Sequence, residues 1–120
     1  MKQKIRNLMN QVKFSMNCGA YLALMDEDGK ILYNNLKRDL NGIYYKLFPA
    51  VKTLNMGDYQ VNKFADTHLV TIKVSDRLAL VAESYLRENS LIFVLNNIAK
   101  KLKEEFAELD TLINPLAIPE

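Results

Sequence analysis

A nucleophile activated by acid–base chemistry needs a hydroxyl or thiol within hydrogen-bond reach of a base, usually a histidine that a third group holds in place. The 120 residues contain one histidine, His68, and one cysteine, Cys18. His68 follows Asp66 and Thr67 at the head of an alternating segment, which is the setting of a turn or strand-end residue rather than of a catalytic base. A single thiol with no clustered histidines makes neither an internal disulfide nor a structural zinc site, so Cys18 reads as a small buried hydrophobe. The four glycines, Gly19, Gly29, Gly42 and Gly57, are too scattered to cradle a phosphate. Asp26-Glu27-Asp28-Gly29 has oxygen ligands before a glycine, as in a calcium loop. Placing Gly29 sixth, however, puts Leu24 first and Asn35 twelfth, so the opening carboxylate and the closing bidentate glutamate are both missing. That run is turn chemistry. No catalytic residue, metal ligand or cofactor site is expected, and the chain reads as a non-enzyme.

What remains is a chain built to bind other proteins. Sixteen Lys and Arg against fourteen Asp and Glu give a net charge of +2, too little for the concentrated basic stripe that phosphate backbones require, so nucleic acid is not an expected partner. Lys100, Lys101 and Lys103 are followed by Glu104 and Glu105, at spacings that let them pair along a solvated helix face. Residues 1–25 hold Lys2, Lys4, Arg6 and Lys13 with no acid, while residues 104–120 hold five acids with no base. This asymmetry predicts a first helix lying beside a last one. Hydrophobic residues at 49% and charged residues at 25% are the balance of an ordinary folded domain. No apolar run approaches the roughly 20 residues of a membrane span, and the basic N-terminus lacks a signal core. Membrane insertion is therefore not expected, and a cytoplasmic setting is. Against adsorption to an anionic membrane stands the scarcity of large aromatics in the first helix, which has only Phe14.

The elements that must position any binding surface follow from periodicity. Ile5, Leu8, Met9, Val12 and Met16 recur at helical spacing, and Gly19 beyond them can take the left-handed geometry that closes a helix. Ala20 to Met25 is apolar on both alternating sets, and with the turn at 26–29 and Ile31 to Tyr33 it predicts a hairpin. Asp39 is the predicted cap of a second helix carrying Leu40, Ile43, Tyr44, Leu47, Phe48, Val51 and Leu54, with a kink or restart expected at Pro49. Tyr59–Phe64, His68–Val74 and Arg77–Ala82 read as an antiparallel meander. One long final helix is traced by Leu91, Leu95, Ile98, Leu102 and Phe106, and Pro115 and Pro119 mark a tail. The expected domain is 1–112, with residues 113–120 as that tail.

Strands apolar on both faces belong in the middle of a sheet, and those polar on one face at its edges. Ala20–Met25 and Leu78–Ala82 are therefore central, Lys30–Asn34 and Tyr59–Phe64 are edges, and His68–Val74 lies between. The predicted fold is α/β, of the α+β kind. It is one five-stranded antiparallel sheet of order 2-1-5-4-3 in the topology α-β-β-α-β-β-β-α. Tyr44, Tyr45 and Phe48 on the second helix and Tyr59 on an edge strand supply more aromatic surface than one helix face needs. An edge strand beside such residues is an aggregation hazard unless it pairs, and pairing it between two copies makes a homodimer.

Three stretches carry a family resemblance: AYLALMDEDGKILY from Ala20 to Tyr33, LNMGD from Leu54 to Asp58, and LALVA from Leu78 to Ala82. With the element order, they resemble the roadblock family of dynein light chains and prokaryotic regulators of small GTPases. The resemblance implies that the first and third helices lie on one sheet face and the second helix on the other. It also implies dimers joined through the second helix and third strand, acting as a scaffold or regulator of a small Ras-like GTPase. Carried over by position, Tyr44, Tyr45, Phe48, Tyr59 and Val61 become the dimer or partner interface. The competing expectations are a ligand-sensing domain of PAS or profilin-like type, or a longin-like trafficking module.

Overall fold

The computed structural model describes residues 1–16, 19–37, 47–49, 51–64 and 67–113. Helix α1 spans Lys2–Met16 and buries the five apolar positions expected of it, Ile5, Leu8, Met9, Val12 and Met16. Gly19 beyond it takes φ 71°. Strands β1 (Tyr21–Asp26), β2 (Ile31–Asn34), β3 (Tyr59–Lys63), β4 (His68–Lys73) and β5 (Leu78–Ser84) form one antiparallel sheet of order β2-β1-β5-β4-β3, as the strand polarities predict. Asp39, Leu40, Ile43, Tyr44 and Tyr45 of the predicted second helix lie outside the described residues, as does Cys18; residues 47–49 and 51–53 are helical. Pro49 closes the first of these two helical stretches, its carbonyl accepting the Thr53 hydroxyl at 3.1 Å.

The final helix departs from expectation. It consists of α2 (Glu88–Lys101) and α3 (Lys103–Ile113), which meet at Leu102, where φ −105° and ψ 20° bend the chain. Hydrogen bonds from Leu102 N–H to the Ile98 carbonyl and from Phe106 N–H to the Leu102 carbonyl, at 2.9 and 3.0 Å, carry the four-residue pattern across the bend. The apolar stripe stays in phase, with Leu91, Leu95, Ile98, Leu102 and Phe106 all buried. Neither a proline nor a glycine, the usual causes of a kink, is present at the bend, so the residues there signal nothing.

Because the central strands are apolar on both sides, the sheet needs two covers. On one face, Leu22, Leu24, Val70, Ile72, Leu78, Leu80 and Ala82 pack with α1, α2 and α3. On the other, Ala23, Met25, Leu69, Ala79 and Val81 pack with Leu47 and Val51 of the 47–53 segment. A fully buried leucine or isoleucine contributes about 1.5–3 kcal/mol. Each cover is therefore held mainly by apolar burial. As the charge asymmetry predicts, α1 lies beside α3, with Lys4 and Glu108 3.7 Å apart and both well exposed. Such a pair orients the helices and adds only about 0–1 kcal/mol.

Buried polar groups tie the covers to the strand ends. Asp26 closes the β1–β2 turn, one carboxylate oxygen accepting from the Asp28 and Lys30 N–H groups at 2.9 and 2.8 Å while Gly29 takes φ 87°. Asp110 of α3, itself buried, accepts from the Ser75 hydroxyl at 2.6 Å and from the Arg77 N–H at 2.9 Å, fastening the β4–β5 turn to the helix. Lys73 of β4 is only 4% exposed, and its ammonium donates to the carbonyls of Val51 and Leu54, where the 47–53 segment ends. A cation on terminal helix carbonyls satisfies orphaned acceptors and opposes the negative end of the helix dipole.

Two substitutions test these ties. Asp110→Ala leaves the Ser75 hydroxyl and the Arg77 N–H without their acceptor and should cost about 1–3 kcal/mol in urea unfolding. Lys73→Met keeps the bulk of the side chain but removes the donor, and should destabilise by a similar amount, about 1–3 kcal/mol. In hydrogen exchange, its loss of protection should concentrate in residues 51–54.

Candidate functional site

A binding surface must offer groups that the fold itself leaves unused, and the open edges of the sheet are the first place to look. Two strands end the sheet, β2 and β3. β2 is four residues long, and its pairing with β1 slips at Leu24/Met25. A short, irregular edge is a poor template for another strand. In contrast, β3 keeps an unbroken register against β4 from Tyr59↔Ile72 to Lys63↔His68. Its outer side is thus the longer and more regular edge.

Alternation along β3 sorts its side chains. Tyr59 and Val61 oppose Ile72 and Val70, so they point to the face covered by α1, α2 and α3. Val61 is half-buried against that core, whereas Tyr59 is 45% exposed. Gln60 and Asn62 point to the opposite face, and the amide of Gln60 donates to Asn62 Oδ1 at 3.2 Å. Phe48 belongs to that opposite side. It is half-buried against the second core cluster, with the Lys52 ammonium 5.2 Å from its ring centroid, a cation–π distance. Of the five residues expected to form one interface, Tyr44 and Tyr45 lie outside the described residues. Phe48 is on one face of the sheet, and Tyr59 and Val61 are on the other.

The approach to β3 is stiffened by its own loop. Gly57 takes φ 91° and gives its N–H to the Lys73 carbonyl at 2.9 Å, while the Lys73 N–H returns to the Asp58 carbonyl at 3.0 Å. Asp58 in turn accepts from the Asn55 N–H at 3.2 Å. The LNMGD stretch therefore joins the second helix to the edge strand through a turn clamped to β4. Lys73 serves this junction twice, through its backbone here and through its ammonium on the helix carbonyls.

Alternation along β4 sets Lys73 on one face with Leu69 and Thr71, and the sequence by itself assigns it no task. The signal was a lone cation on an otherwise apolar set in a nearly central strand. Asp110 was counted among the acids of the last helix. It lies four residues beyond the buried Phe106, so helical spacing alone puts it on the inward stripe. Among the described residues, no group of three or more His, Cys, Asp or Glu is arranged to hold a metal ion. Nor is any helix among them long and apolar enough to cross a membrane.

No family model matches the chain, and no curated protein matches it either. Solved structures do. MglB of Myxococcus xanthus superposes with a TM-score of 0.64 over 88% of this chain and 90% of its own, at 16% identity. MglC of the same organism gives 0.59 over 85% and 98%, at 21% identity. LokiProfilin1, solved in complex with rabbit actin, gives 0.59 over 87% and 97%, at 17% identity. At these identities the likeness is one of fold. The strand order, the two-sided helical cover and the matches to MglB and MglC together show that this chain has a roadblock-type fold.

Proposed function

We propose that this protein is a non-catalytic, cytoplasmic interaction module, a homodimeric scaffold or regulator of a small Ras-like GTPase. The observation that carries the reading is the β3 edge, which is regular, ends the sheet and presents the exposed Tyr59. Two copies meeting along β3 would pair backbone groups on the side of the strand away from β4, and would continue the sheet across a two-fold axis. Tyr59 and Val61 would add side-chain contact on one face of that joint and Phe48 on the other, and Tyr44 and Tyr45 are the further interface positions that the roadblock resemblance implies. The fold shared with MglB and MglC supports the GTPase half of the reading. In such a complex the chain would supply no catalytic group of its own. It would change GTP hydrolysis only by ordering the switch loops of its partner.

The likeness to LokiProfilin1 supports a second reading, a profilin-like module whose partner is actin. The two readings part on what is captured, a GTPase in one nucleotide state or monomeric actin.

Light scattering should give a solution mass of about twice the 13.8 kDa chain. Tyr59→Asp, at an exposed position, should return it to the monomer with an unchanged far-UV circular dichroism spectrum. Phe48→Asp should do the same, and because Phe48 is half-buried its unfolding curve must be read beside its mass. A wild-type monomer would end the edge-pairing proposal.

Immobilised protein should retain a Ras-like GTPase loaded with either GDP or a non-hydrolysable GTP analogue, and not both equally, while the chain alone should hydrolyse no GTP above background. Retention of actin with no GTPase bound would favour the profilin-like reading instead.

A further inference from the structure

The hydrogen bonds at the two ends of β3 decide which way its backbone faces. At one end the Phe64 N–H donates to the Thr67 carbonyl at 2.9 Å, and at the other the Asp58 carbonyl accepts from the Lys73 N–H at 3.0 Å. Successive residues of an antiparallel strand turn their N–H and C=O groups to alternate sides. Asp58 and Phe64 share a parity with Gln60 and Asn62, so all four face β4, and Tyr59, Val61 and Lys63 turn their backbone groups away from it. Side chains sort by the same alternation. Lys63, opposite His68, lies on the sheet face of Tyr59 and Val61, and its ammonium is 3.1 Å from Glu88, the first residue of α2.

This set of outward groups complements itself under a two-fold rotation in one register. With Val61 on the axis, Val61 opposes its own counterpart and Tyr59 opposes the partner's Lys63 at both ends, so every outward N–H and C=O of the strand meets another. Moving the axis to Gln60 leaves Lys63 without an opposite, and moving it to Asn62 leaves Tyr59 without one. An axis between two residues sets outward groups against groups already turned to β4. An axis at Lys63 would bring two lysines face to face, which is unfavourable.

Resting on the edge-pairing reading above, we infer that the β3 edge takes a second copy of this chain in the register centred on Val61, and that Lys63, held by Glu88, is the residue that selects it. Opposite residues in a hydrogen-bonded pair have Cα atoms about 5.5 Å apart. The exposed Tyr59 ring of one copy therefore lies along the methylene chain of the partner's Lys63, while the charged head stays on its own Glu88. The joint brings in no unbalanced charge, because each lysine carries its counterion with it. On the other face of the sheet, Gln60 opposes the partner's Asn62, amide to amide. A strand of different sequence could match the backbone groups of β3, but it would have to offer a cation at one end and an aromatic at the other to match both end pairs. Lys63 thereby joins Tyr59 and Val61 in the joint.

The test mixes two versions of the full chain, one with Tyr59→Cys and one with Lys63→Cys, both also carrying Cys18→Ser so that no other thiol reacts. Both new thiols are at exposed positions. A reagent bridging thiols about 5 Å apart should link the mixture into covalent dimers and link neither version by itself, because like positions then stand about 14 Å apart along the strands. Linking of Tyr59→Cys alone or of Lys63→Cys alone would overturn the register. So would an unlinked mixture from a protein that light scattering shows to be dimeric. A monomeric wild type would instead overturn the edge-pairing reading, and this inference with it. Lys63→Glu acts at both ends of the joint and should weaken the dimer about tenfold, whereas Lys63→Arg should leave it unchanged. A dimer of wild-type affinity with Lys63→Glu would remove Lys63 from the joint.

Discussion

The structure depends on the burial of β1 and β5 from both sides. Every residue from Leu78 to Ser84 is buried, and β1 is buried from Leu22 to Asp26. A strand with no solvent-facing side cannot be shielded by one helical layer, so the chain must provide two. It does so by placing one helical segment between the two hairpin units and the others at the ends. The order of elements along the chain is thus what lets the covers land on opposite faces.

Apolar burial is non-directional and does not set where each cover stops. That is settled by a few polar groups at the strand ends. Lys73 crosses from β4 to the end of the 47–53 segment, Asp110 reaches from α3 to the β4–β5 turn, and Thr67 donates to the buried Glu83 across the sheet at 3.1 Å. Each puts a charged group where water is scarce, and such groups are stable only when hydrogen-bonded. They work as registration pins, holding the covers so that β3 emerges at the end of the sheet on a stiff loop. The same arrangement separates the surfaces, with Phe48 on the side of the second cover and Tyr59 on the side of the first.

Much of this was legible in the residues. Two-sided apolarity in Ala20–Met25 and Leu78–Ala82 placed both strands centrally, and the polar residues of Lys30–Asn34 and Tyr59–Phe64 placed those at the edges, because alternation reports directly on how many faces a strand hides. Helical spacing identified the buried stripes of α1 and of the last helix. The bend at Leu102 was not legible, since the apolar stripe passes through it in phase and no breaking residue marks it. The proposed interface was legible only as residue types. A tyrosine on a strand announces its preference for a surface, but which face it joins depends on a register that partner strands set.

By itself, then, the sequence determined the five strands, the sheet order and the buried stripes of the first and last helical stretches, all of which follow from local periodicity and polarity. The tertiary structure alone decided which groups meet across long separations. It put Lys73 on the carbonyls of Val51 and Leu54, and Asp110 on Ser75. Those meetings depend on how two layers pack on a twisted sheet, and no short-range pattern encodes that geometry.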